Sequence, residues 1–97
     1  DRPQVLSTDR HLMQGYLDMS DVKWDAERQV LSGVSKIVGG DPYRVTLATN
    51  GYAPLKIESR DDQVQARLAS AKNGLVEFTL EGPENAEVAW SVLFRAE

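Results

Sequence analysis

Alternation with a period of two constrains this chain more than any other feature. In "YRVTLAT", Tyr43, Val45 and Leu47 share one face, while Arg44 and Thr46 take the other. In "LVEFTLE", Val76, Phe78 and Leu80 alternate with Glu77, Thr79 and Glu81. In "EVAWSVLFR", Val88, Trp90, Val92 and Phe94 alternate with Ala89, Ser91, Leu93 and Arg95. "VLSGVSKIV" is rich in β-branched residues, with Val30, Val34 and Val38 on one face. Successive side chains of a strand point to opposite faces, so such segments suit sheets with one face in a core and one in water. The inner faces are expected to hold Leu31 or Val30, with Val45, Leu47, Val76, Phe78, Leu80, Val88, Trp90, Val92 and Phe94.

The punctuation agrees. "WDAERQ", "GGDP", Asn50-Gly51, Asn73-Gly74 and "EGPENA" separate the β-like runs. Asn-Gly supplies the positive φ that both central positions of a type I′ hairpin turn demand. Turn signals every ten to twelve residues or so match a sandwich or barrel. The expected fold is therefore an all-β, antiparallel β-sandwich, jelly-roll or immunoglobulin-like, of about seven or eight strands. "SRDDQVQARLASAKNG" reads two ways. Its leading acids and central helix formers suit a helix, but the buried stripe would hold little beyond Val64, Leu68 and alanines. As a strand it points Val64, Ala66 and Leu68 inward and turns at Asn73-Gly74 into "LVEFTLE". The strand is the better reading.

The glycines of "IVGGDPYRV" invite a phosphate-loop reading. Such loops aim backbone N–H groups at an anion from a helix N-terminus. Here Asp41-Pro42 and an alternating strand follow Gly39-Gly40, and no Lys-Ser or Lys-Thr pair closes the loop. A turn is expected instead.

With 97 residues the chain makes one domain, 1–97. It carries 11 basic and 15 acidic residues, a net charge of −4, with the bases scattered among acids. This argues against a nucleic-acid partner, which needs clustered cations. Apolar runs are only a few residues long, which argues against membrane insertion by a helix. The absence of cysteine removes disulfides, thiolate metal sites and cysteine nucleophiles. The opening "DRPQVLS" reads as a processed protein or, preferably, an excised domain.

His11, near Ser7 and Asp9, is the sole histidine, and residues crowded on one segment rarely converge as a triad. Asp18, Asp21, Asp25 and Glu27 are oxygen donors for calcium, but without the spacing of an EF-hand loop. No metal site and no cofactor is expected, with calcium on this loop as the minor alternative. Paired carboxylates for glycoside hydrolysis need a cleft that a domain of this size is poorly able to build. Aromatic rings are the remaining site candidates, because sugar faces stack on exposed rings. Trp90 belongs to the core by its alternation. Trp24 stands at a turn edge and is expected to pack on Leu31 across a hairpin. Tyr52, just past Asn50-Gly51, is the tyrosine expected to be exposed. An exposed Trp24 with Tyr16 or Tyr52 would make a ligand platform.

Residues 7–49, with Trp24-Asp25, a turn, Leu31-Ser32-Gly33 and then Gly40-Asp41-Pro42-Tyr43, and the closing 76–97 resemble one known group. These are the C-terminal β-sandwich domains of large exported bacterial glycoside hydrolases of the α-galactosidase type. The resemblance implies a non-catalytic accessory domain, secreted or periplasmic, packed against a neighbouring domain, with carbohydrate contact as a secondary role. It places the catalytic carboxylates in a separate barrel, so none falls in this chain. A stand-alone carbohydrate-binding module and an adhesion-type protein-interaction sandwich are the alternatives.

Overall fold

The structure is a computed structural model that describes residues 2–8, 19–69 and 72–97. Eight strands follow one another: β1 Gln4–Thr8, β2 Met19–Asp25, β3 Val30–Ile37, β4 Tyr43–Ala48, β5 Tyr52–Ser59, β6 Gln65–Leu68, β7 Leu75–Glu81 and β8 Ala86–Ala96. They form two antiparallel four-stranded sheets packed as a sandwich, in the orders β1-β4-β7-β6 and β2-β3-β8-β5. No helix occurs among the described residues. Only β2–β3 and β6–β7 are hairpins; the other five connections carry the chain from one sheet to the other.

The alternation of β4, β7 and β8 is borne out. Their inward residues Val45, Leu47, Val76, Phe78, Leu80, Val88, Trp90, Val92 and Phe94 are all buried. Between Leu31 and Val30 the register decides. Leu31 pairs with Val92 and is buried, whereas Val30 pairs with Leu93 on the outer face. Burying such a side chain contributes about 1.5–3 kcal/mol. One polar contact crosses this interior: the Trp90 indole Nε1–H donates to the Ser35 hydroxyl at 2.9 Å, so neither buried group lacks a partner.

Of residues 61–72, the stretch Gln65–Leu68 follows the strand reading as β6, which pairs with β7. The acids that mimic a helix start cap a turn instead. The Asp61 carboxylate accepts the Gln63 N–H at 2.9 Å, and the Asp61 carbonyl accepts the Val64 N–H at 3.0 Å. Val64 is then buried and the chain leaves extended.

The two Asn-Gly pairs both adopt positive φ, 49° and 91° at Asn50-Gly51, 52° and 79° at Asn73-Gly74. Lys72 and Leu75 exchange both backbone hydrogen bonds around the second pair, closing a two-residue turn as expected. The first corrects an expectation. Asn50-Gly51 joins β4 to β5, which lie in different sheets, so its turn bridges the sandwich and makes no hairpin. The Gly39-Gly40 segment is a turn, with the Asp41 N–H on the Val38 carbonyl at 3.1 Å. It lies against the β7–β8 connection. A Cβ on Gly39 would sit 2.5 Å from the Pro83 carbonyl oxygen and 2.6 Å from the Glu84 Cα. Asn85 Oδ1 accepts the Gly39 N–H at 2.8 Å, and the Gly82 carbonyl accepts that of Gly40. Two crossings between the sheets are thereby locked together at the lower end of the sandwich, opposite Asn50-Gly51.

Candidate functional site

Trp24 pairs with Leu31 across the β2–β3 hairpin, as expected. Tyr52 departs from expectation: it is half-buried. Its register partner on β8 is Ala96, which turns the ring to the inner face. Trp24 and Tyr52 thus enter from the two edge strands of one sheet and meet over Phe94. Ring centroids are 5.1 Å apart for Trp24–Tyr52, 6.0 Å for Trp24–Phe94 and 6.4 Å for Tyr52–Phe94, with interplanar angles of 70°, 65° and 80°. Edge-to-face contacts of this kind contribute about 0.5–1.5 kcal/mol each beyond area burial. The trio closes the upper end of the core, and its rings are crossed, not coplanar. A groove of about 410 Å³ runs beside Trp24, lined by Arg2, Pro3, Gln4, Val22, Lys23 and Leu31 as well. Tyr16 lies outside the described residues, as do His11 and Asp18.

Of the acids named for calcium, Asp21, Asp25 and Glu27 lie among the described residues. The Asp25 carboxylate accepts the N–H groups of Glu27 and Arg28, both at 3.0 Å, and shapes the β2–β3 turn. No group of three or more potential metal ligands comes together among the described residues.

A second feature escaped sequence reasoning. On the outer face of the β2-β3-β8-β5 sheet, the two central strands carry Val30, Ser32 and Val34 opposite Leu93, Ser91 and Ala89. All six are half-buried and none is charged. The edge strands stand around them as banks, with Asp21 and Lys23 on β2, and Lys56 and Glu58 on β5 followed by Arg60. Lys56 and Glu58 form an ion pair at 3.3 Å. Asp21, Lys23 and Arg60 share with this floor a groove of about 540 Å³. The banks are three strand spacings apart, roughly 14 Å. A charge-free centre inside a charged rim makes this face a candidate contact surface. The small outward residues of "VLSGV" and "VAWSVL" were the signal, but only the sheet order sets the two segments side by side. Comparison of the chain with family models, curated proteins and solved structures finds no match.

Proposed function

We propose that the chain is a non-catalytic accessory β-sandwich domain of a larger extracytoplasmic, carbohydrate-active bacterial protein, and that it works by packing against a neighbouring domain. The observation that carries the packing role is the uncharged strip Val30, Ser32, Val34, Ala89, Ser91 and Leu93 on a solvent-facing sheet. The carbohydrate context and the placement outside the cytoplasm rest on the sequence resemblance alone. Hydroxyl-radical footprinting tests the packing role, on the isolated chain and on the full product of its gene. Val30, Val34 and Leu93 are expected to oxidise in the first and to be protected in the second. Equal oxidation in both overturns the docking face, and a gene product with no further domain overturns the accessory role.

A carbohydrate-binding module is the second reading, favoured by the indole of Trp24 beside its groove. Trp90 is buried, so a glycan that quenches tryptophan emission saturably would report on Trp24. Emission indifferent to a panel of plant and algal oligosaccharides removes this reading.

A further inference from the structure

The two Asn-Gly pairs are chemically alike and structurally unlike. An asparagine followed by glycine undergoes succinimide formation because no Cβ shields the following N–H, and such asparagines are among the thermolabile residues of proteins. At Asn50 the carboxamide is pinned: its Nδ2–H donates to the Arg2 carbonyl at 2.7 Å. The same turn is held from its other side, where the Gly51 carbonyl accepts the Glu97 N–H at 3.0 Å. All four residues of the two pairs are exposed, but at Asn73 the carboxamide makes no hydrogen bond among the described residues. The Gly74 carbonyl accepts the Thr49 N–H at 2.9 Å, and the Gly74 N–H makes no hydrogen bond among the described residues.

We infer that Asn73-Gly74 is a site of spontaneous modification and that Asn50-Gly51 is the protected pair. In the reaction the Gly74 nitrogen attacks Cγ of Asn73 and loses its proton. The Cγ–Nδ2 bond breaks, and ammonia leaves with that proton, closing a five-membered succinimide. Water then opens either ring carbonyl, giving aspartate or isoaspartate. The net exchange is one water for one ammonia, with no redox partner. Either product adds a negative charge at the exposed tip of the β6–β7 hairpin. The iso form also inserts a backbone methylene into a two-residue loop, so the reciprocal Lys72–Leu75 bonds can no longer close as they do now.

The whole chain is incubated in mildly alkaline buffer, digested and mapped by mass spectrometry for the gain of about one dalton at each pair. Asn73 is expected to convert about two- to tenfold faster than Asn50, the factor set by the net worth of one hydrogen bond. Equal rates, a faster Asn50, or no conversion at Asn73 overturn the inference. Removing Asp1 and Arg2 deletes the acceptor carbonyl without touching either turn, and is expected to raise the rate at Asn50 alone. An equal rise at both pairs would mean general loosening and overturns the pinning argument.

Discussion

At Gly39 a single hydrogen atom is all that fits between two crossings of the sandwich. Gly39→Ala drives a methyl group into the backbone of Pro83 and Glu84, which cannot swing aside as a side chain could. The expected cost is about 1–3 kcal/mol, read as a lowered urea midpoint with the slope unchanged. Gly33 is the matched test. Its Cβ would fall 2.7 Å from Cζ2 of Trp90, an indole already fixed by Ser35. Ser35→Ala leaves the buried Trp90 N–H without a partner and is expected to cost about 1–3 kcal/mol. Far-ultraviolet circular dichroism should be unchanged while thermal unfolding moves down. Both glycines are visible in the sequence, but the reasons for them are not. Gly39 answers to residues more than forty positions away, and Gly33 to its register partner on β8.

At the scale of the strand, three of the four edge strands differ from the centres in one respect, and the short β6 keeps a regular register. The edge strands β1, β2 and β5 each lose register by one residue, at Leu6, at Asp21-Val22 and at Leu55. An extra residue bends an edge and spoils it as a template for another chain. It also shifts parity. Met19 and Trp24 are five positions apart, as are Tyr52 and Ile57, yet all four pack against the core. This is why alternation read β4, β7 and β8 correctly and gave no comparable pattern for β2 or β5. Tyr52 reads as exposed for a different reason, its place just past the Asn50-Gly51 turn. The bulges leave Leu6, Val22 and Leu55 exposed. Deleting Leu55 removes the extra residue, straightens β5 and leaves Tyr52 and Ile57 four positions apart, both still facing inward with every β5–β8 pair kept. Tryptophan emission is therefore expected to stay where it is, while the straightened edge becomes a better template for a second chain, read as concentration-dependent association. A maximum shifted to the red would show that Tyr52 had left the indole and would contradict this account of the bulge. A double-mutant cycle on Trp24→Leu and Tyr52→Leu should recover a coupling of about 0.5–1.5 kcal/mol.

For the whole molecule, five of seven connections cross between sheets, and most strand pairs join residues far apart in the chain. Folding must close long loops before it gains much contact, so refolding on the millisecond-to-second scale is expected by stopped-flow fluorescence. Microsecond refolding would contradict this topology. Fold class was legible because periodicity is local. The candidate contact face was not, because it depends on β3 lying beside β8 and on β2 and β5 flanking them.

One turn gathers both ends of the chain. Asn50 holds Arg2 and Gly51 holds Glu97, so entrance and exit share one pole of the sandwich. A body of this kind has the shape of a bead that a single loop could carry. It can be spliced into the middle of another polypeptide without prising the flanking segments apart, and its strands can be renumbered without rebuilding the fold. Joining Glu97 to Arg2 through a short Gly-Ser linker, and opening the chain in the exposed β2–β3 loop, should give a permutant that still unfolds cooperatively.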